Sequence, residues 1–333
     1  MIIARSPVRI TLGGGGTDLA SYYSTYGGAL IAAAIDKYTF VTAHKRFDTD
    51  IKLNYSITEQ VPHVDEIKHR IFREALRLLG IKNGIELTSL SDIPGRSGLG
   101  TSGSFTVAVL NALHAYKREF ISQRQLAEEA CQIEIDILKE PIGKQDQYIS
   151  AFGGITALTF AKDGSVTVEP VKLDEETKDQ LADNITLFYT GITRHASEIL
   201  REQHEKSTQG SAPTIEALHE IKRIGMETRK ALERGDIDKL GGFLDLHWRT
   251  KKQLSQGVTN LFIDECYELA KKHGALGGKI MGAGGGGFFL FYHNGGYKEK
   301  AAFTKALEKK GLQKMRFHFD YEGSKIILNM KNI

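Results

Sequence analysis

Three glycine-rich loops carry the groups in this chain best suited to chemistry. They are Gly13–Gly16; Gly95, Gly98, Gly100 and Gly103; and Gly282 with Gly284–Gly287. Glycine lets backbone N–H groups approach an anion closely and reach φ > 0. The middle loop is the most informative. It reads Pro94-Gly95-Arg96-Ser97-Gly98-Leu99-Gly100-Thr101-Ser102-Gly103-Ser104 and runs into a helical pattern, whose free amides and dipole favour phosphate. Thr101, Ser102 and Ser104 add hydroxyls that could cap the helix, bond phosphate oxygens or ligate Mg²⁺. Gly98–Gly103 fits G-x-G-x-x-G, but Gly282–Gly287 fits it too by glycine density alone. A dinucleotide fold places that motif near the first strand of alternating β/α units, not after a strand-rich segment. G-x-x-x-x-G-K-[ST] is absent, as are the catalytic-loop and metal-binding signatures of protein kinases.

The elements that must position these loops are legible from periodicity. Residues 2–12 alternate as a strand and run straight into the first loop. Tyr38–Arg46 and Ile51–Ile57 read as a strand pair turned at Asp48-Thr49-Asp50. Ile85–Leu90 is a strand leading to the middle loop, and helices follow over Ser102–Lys117 and from the capping box Ser122-x-x-Gln125. Strands over Ile155–Phe160, Val166–Val171 and Ile185–Tyr189 are followed by helical patterns over about 194–273. The third loop sits between strands at Lys279-Ile280 and Phe288–Tyr292, before a helix Tyr297–Lys310 and strands Met315–Phe319 and Lys325–Asn329. Strands and helices mix without regular alternation, which indicates α+β.

Composition bounds the function. Of 333 residues 35 are glycine, against about 23 for average usage near 7%; the three loops hold thirteen, the size of the excess. Hydrophobic content of 41% excludes disorder, and a net charge of +3 is too balanced for a sequence-blind nucleic-acid binder. The longest apolar run, Ala29–Ile35, is far short of a membrane span of ~20 residues. With no apolar leader and only Cys131 and Cys266, a cytoplasmic protein with reduced thiols is expected.

Together the three loops resemble the motifs of the GHMP kinases (galactokinase, homoserine kinase, mevalonate kinase, phosphomevalonate kinase). The first is Pro7-Val8-Arg9-Ile10-Thr11-Leu12-Gly13-Gly14-Gly15-Gly16-Thr17-Asp18, the second Pro94–Ser104, the third Lys279-Ile280-Met281-Gly282-Ala283-Gly284-Gly285-Gly286-Gly287. Arg9, Thr17 and Asp18 match the galactokinase-like P-x-R-x-x-L-x-G-E-H-T-D. Gly15-Gly16 depart from it where that pattern has an acidic residue and a histidine that help hold the sugar; this clears room for a longer sugar. The run R-I-T-L-G-G-G-G-T-D is most similar to the bacterial D-glycero-D-manno-heptose 7-phosphate kinases, and L-fucose kinases carry a bulkier version.

The resemblance implies a two-domain α+β fold, with a ribosomal protein S5 domain 2-like ATP-binding domain over 1–180 and a ferredoxin-like domain over 181–333. It also implies phosphoryl transfer from Mg²⁺·ATP to a sugar or sugar phosphate. The sharpest form of that expectation is the anomeric hydroxyl of heptose 7-phosphate, giving the 1,7-bisphosphate for nucleotide-activated heptose and cell-surface polysaccharide. The alternatives are a fucose- or galactose-type 1-kinase and a catalytically silent sugar-binding regulator. In Glu134-Ile135-Asp136-Ile137-Leu138-Lys139-Glu140-Pro141-Ile142-Gly143-Lys144-Gln145-Asp146, Glu134 matches the family's Mg²⁺ ligand and Asp146 its catalytic carboxylate, with Arg9 beside it. On this resemblance Ser102 would join Glu134 at the metal. Pro94, Gly95, Arg96, Ser97, Gly98, Leu99, Gly100, Thr101, Ser102, Gly103 and Ser104 would cradle the ATP phosphates. Gly14, Gly15, Gly16, Thr17 and Asp18 would meet the sugar, and Gly284, Gly285 and Gly286 would border the acceptor and the transferring group. A distal phosphate needs cations, for which Lys144, Arg194 and His195 are the candidates. The expected partners are small molecules, without nucleic acid or membrane, and a homodimer is allowed. Asp245, His247 and Trp248 lack metal-ligand spacing and read as structure.

Overall fold

The computed structural model describes residues 1–193 and 196–330. In chain order its first seven strands are β1 (Ile2–Gly13), β2 (Gly28–Lys45), β3 (Ile51–Asn54), β4 (Thr58–Val61), β5 (Ile85–Ser91), β6 (Ile155–Phe160) and β7 (Val166–Pro170). Among them run α1 (Ala20–Tyr26), α2 (Arg70–Leu78), α3 (Thr101–Lys117), α4 (Gln123–Cys131) and α5 (Gln145–Phe152). The second half adds α6 (Glu175–Asn184), β8 (Ile185–Tyr189), α7 (Ala196–Thr208), α8 (Ala212–Glu233), α9 (Lys239–Lys251) and α10 (Leu261–Lys272). It closes with β9 (Gly277–Ile280), β10 (Phe288–Tyr292), α11 (Tyr297–Lys309), β11 (Gln313–Met315) and β12 (Lys325–Asn329).

β1 and β2 are the antiparallel spine of an eight-stranded sheet. β2 is long enough to hold two neighbours on its other edge, β5 along Thr39–Lys45 and β6 along Gly28–Ala33. The apolar run Ala29–Ile35 follows from burial on both faces. Leu30, Ala32 and Ala34 join the core containing Val107, Leu110 and Leu113 of α3. Ile31, Ala33 and Ile35 join a second core with Leu232, Leu240 and Leu290. β1 alternates in the same way: Val8, Ile10 and Leu12 enter the second core, which turns Arg9 and Thr11 toward the opposite face. β11, β8, β10 and β9 form a four-stranded antiparallel sheet in that order.

Two expectations about the strands are corrected. Tyr38–Arg46 and Ile51–Ile57 are not partners, because β5 lies between β2 and β3 and runs parallel to β3. The Asp48–Asp50 turn seats the start of β5 instead, with the Gly84 amide donating to the carbonyls of Thr49 and Asp50. The strand expected over Met315–Phe319 ends at Met315; Phe319 bridges to Ile35 in the first sheet. From there β12 pairs antiparallel with β1, so the last strand returns across the division expected at residue 180.

Candidate active site

The strand period that buries Ile10 brings Arg9 to Asp146, in the first turn of α5. Arg9 Nε donates to Asp146 Oδ1 at 2.8 Å, and a terminal nitrogen of the guanidinium lies 2.7 Å from the same oxygen. The other terminal nitrogen donates to the Gly98 carbonyl at 2.7 Å, and the Arg9 amide donates to the Leu99 carbonyl. Arg9 is 4% exposed and the Asp146 side chain 23%, so the cation is locked while the carboxylate keeps one face open. The middle loop wraps this pair. A β-carbon at Gly98 would stand 2.7 Å from the Met281 carbonyl oxygen, and one at Gly282 equally close to the Gly98 α-carbon. The second and third glycine loops therefore touch backbone to backbone beside the pair.

Ser102 lies in the first turn of α3, which is buried along most of its length. Ser102 Oγ donates to Glu134 Oε2 at 2.6 Å, and Gln147 Nε2 donates to Glu134 Oε1 at 3.1 Å. The sequence did not announce the segment that presents Glu134: α4 passes into a π-helical turn, Gln132–Ile137, an irregularity frequent at functional sites. Burial pushes the Glu134 carboxyl up to about 7 against the hydrogen bonds from Ser102, Thr106 and Gln147. Gln147 Oε1 is buried without a partner. A hydroxyl and a carboxylate, both hard oxygen donors, with no cation paired to the carboxylate among the described residues, fit Mg²⁺.

A cavity opens at Asp146. Arg9, Thr11, Gly15, Gly16, Asp18 and Gln145 line one side, and His247, Lys251, Lys279 and Gly282 the other. Asp18 is 2% exposed. Its Oδ1 accepts from the Gly16 amide and its Oδ2 from the Gln145 amide, and burial pushes its carboxyl up. Thr11 Oγ1 donates to Gln145 Oε1 at 2.6 Å. Gln145 thus ties β1 to the first loop, a role the sequence signalled only by adjacency to Asp146.

The structure thus brings together Arg9, Asp146, Gly15, Gly16 and Asp18 around one cavity, and Ser102 with Glu134 beside it. Other candidates stand elsewhere. Lys144 Nζ donates to the Gly164 carbonyl at 2.6 Å and lies over the Tyr23 ring; it does not line the cavity. Arg194 and His195 lie outside the described residues. Thr17 is fully buried and donates to the Gly14 and Ala29 carbonyls, so its hydroxyl holds the turn. Gly14 has no room for a β-carbon beside Ala29. Ser104 donates to the Ser6 carbonyl inside the protein. Gly284, Gly285 and Gly286 press on the backbone of Val258 and Ile192, while Gly282 and Ala283 line the cavity. No residue of Pro94–Ser104 lines it; that loop ends instead at the amides of α3. Sequence reading missed His247, Lys251, Lys279 and Gln203, all in the cavity wall. A lysine inside an all-buried strand, Gly277–Ile280, was the available signal for Lys279.

The GHMP kinases N terminal domain model matches residues 67–154 and the GHMP kinases C terminal model residues 228–309. A D-glycero-alpha-D-manno-heptose 7-phosphate kinase of Campylobacter jejuni is 32% identical over 97% of this chain and 98% of its own length. A galactokinase of Pyrococcus furiosus is 27% identical over 85% of this chain and 86% of its own. The crystal structure of a D-glycero-D-manno-heptose 1-phosphate kinase from Bacteroides thetaiotaomicron superposes with TM-score 0.82 at 25% identity, covering 99% of this chain and all of the other. Among the described residues no helix is long and apolar enough to cross a membrane. The chain belongs to the GHMP kinase family and within it to the sugar kinases, phosphotransferases that act on an alcohol group.

Proposed function

We propose that this protein phosphorylates the anomeric hydroxyl of D-glycero-D-manno-heptose 7-phosphate, yielding the 1,7-bisphosphate from which nucleotide-activated heptose is made for cell-surface polysaccharide. The observation that carries the reading is the Arg9–Asp146 pair opening on a cavity whose wall at Gly15-Gly16 is bare backbone. The heptose kinase relative at 32% identity supports the same acceptor.

In this reading the acceptor lies against Gly15, Gly16 and Asp18, with its C1 hydroxyl at the open oxygen of Asp146. Asp146 accepts the hydroxyl proton as the sugar oxygen bonds to the γ-phosphorus of ATP. The bond from that phosphorus to the β–γ bridging oxygen breaks, and ADP leaves. Arg9 orients Asp146 through its two contacts to Oδ1. A carboxylate is a weak base, and it suits an anomeric hydroxyl, more acidic than a primary alcohol. Amides at the start of α3 and in Gly95–Gly103 meet the ATP phosphates. Ser102 and Glu134 would hold Mg²⁺, which supplies charge neutralisation to those phosphates. Positioning and electrostatics supply most of the rate in such a transfer. The reaction belongs in the cytoplasm, where ATP is available.

The test is a coupled ADP-release assay over heptose 7-phosphate, fucose, galactose and mannose. Turnover is expected with heptose 7-phosphate at a kcat/KM at least tenfold above the others. Turnover confined to an unphosphorylated sugar would overturn the assignment.

A further inference from the structure

The far wall of the cavity holds two lysines that the reaction above does not use. Lys279, on β9, is 3% exposed, and its Nζ lies 3.3 Å from His247 Nδ1. Lys251, at the end of α9, donates from Nζ to the carbonyls of Ile280 and Gly282. Among the described residues neither ammonium pairs with a carboxylate, and the charged groups that bear on them are cations: Arg9 on Lys251, and Lys251 with Arg9 on Lys279. Of the two carboxylates in the cavity, Asp146 is taken by Arg9 and Asp18 by the amides of Gly16 and Gln145. Two desolvated lysines held close to an arginine cost free energy unless an anion joins them.

We propose that Lys251 and Lys279 form the subsite for a phosphate group carried by the acceptor sugar. Which phosphate they meet is decided by the walls. The lysines share their cavity with Gly15, Gly16, Asp18 and Gln145, whereas none of Pro94–Ser104, the loop placed for the nucleotide, borders it. The alternative cation from the sequence, Lys144, is engaged at Gly164 and Tyr23. Desolvation and the neighbouring cations hold Lys251 down to about 7 and Lys279 well below its usual range; a phosphate dianion between them would restore both ammonium charges. His247, buried and pushed well down, stays neutral and can share a proton with Lys279. The subsite rests on the proposed sugar-phosphate acceptor and explains how the protein would prefer it to the free sugar.

The experiment compares wild type, Lys251→Met and Lys279→Met on heptose 7-phosphate, unphosphorylated heptose and ATP. Methionine keeps the length and apolar stem of lysine without its charge. In each variant the ratio of kcat/KM for the phosphorylated over the unphosphorylated heptose is expected to fall at least about 30-fold, the scale of a charge-assisted hydrogen bond of about 2 kcal/mol, with the KM for ATP within threefold. An unchanged ratio, or a raised KM for ATP, would overturn the proposal. Lys279→Arg is expected to recover part of the ratio, and its failure together with Lys279→Met to fold moves the test to the wild type. There, inorganic phosphate is titrated calorimetrically into protein saturated with a non-hydrolysable ATP analogue. Binding that is competed by heptose 7-phosphate supports the subsite, and no binding overturns it. Should heptose 7-phosphate not turn over, the proposed function fails separately, while phosphate binding in wild type and its loss in Lys251→Met still read the subsite.

Discussion

Gly103 and Asp146 stand so close that a β-carbon on Gly103 would lie 2.6 Å from the Asp146 β-carbon. The glycine of the phosphate loop is therefore also the space in which the carboxylate sits. Gly103→Ala must push α5 away from α3, at the roughly 1–3 kcal/mol typical of overpacking. We expect a kcat at least tenfold lower, because sub-ångström displacement of a positioned base is costly, with a measurably lower unfolding midpoint in urea. Wild-type kcat in that variant would show that the two elements yield without disturbing Asp146.

Gly15 faces the cavity with Thr11 Cγ2 as the nearest atom to an added β-carbon, at 3.1 Å. Gly15→Glu restores the acidic side chain of galactokinase-like sequences at this place. We expect it to raise the KM for heptose 7-phosphate at least tenfold, by occupying the acceptor's space and repelling its phosphate, with the KM for ATP within threefold. Steady-state kinetics with each substrate varied in turn checks this; an unaltered acceptor KM contradicts the proposed sugar placement.

Lys144 provides a control. Its ammonium is committed to the Gly164 carbonyl and the Tyr23 ring, and Lys144→Ala is expected to leave kcat/KM for heptose 7-phosphate within about threefold of wild type. A tenfold loss without a change in stability would return Lys144 to the acceptor site.

Lys251 gives the ligand-free protein a pH signature. Its proton is released near pH 7 in the fold and near 10.4 in the unfolded chain. Between these values the unfolded state holds more protons, so this residue makes stability rise with pH. The penalty is fully present below about pH 7 and is gone above the unfolded value. Urea unfolding at pH 7 and pH 9 is expected to show wild type gaining about 1–2 kcal/mol relative to Lys251→Met, less than the full shift because the ammonium opens on cavity water. A difference that does not change with pH would mean that Lys251 is solvated like an ordinary surface lysine.

What the sequence disclosed about this site follows from which forces are local. Arg9 and Asp146 were legible because each belongs to a motif whose neighbours are constrained: the alternation of β1 aims Arg9, and the glycines beside Asp146 have no room for side chains. Ser102 and Glu134 were legible for the same reason, although the π-helical turn that carries Glu134 was not, since nothing in Gln132–Ile137 breaks the helical pattern. Lys144 misled because adjacency in sequence to Asp146 says nothing about direction at the start of a short helix. Lys251 and Lys279 were hidden because their meaning depends on α9 and β9 meeting β1 across the fold. The strand pair expected at residues 38–57 failed similarly: a local turn signal cannot reveal that β5 inserts between the two strands.

In the proposed reaction Asp146, held by Arg9, receives the proton of a sugar hydroxyl during phosphoryl transfer. Pre-steady-state and steady-state kinetics of Asp146→Asn test it most directly. Asparagine keeps the shape and can still accept from Arg9, so ATP affinity is expected to stay within threefold while kcat falls at least about 100-fold, the scale of a lost general base. An Asp146→Asn enzyme with kcat within fivefold of wild type would contradict the account, reducing Asp146 to a cap on α5.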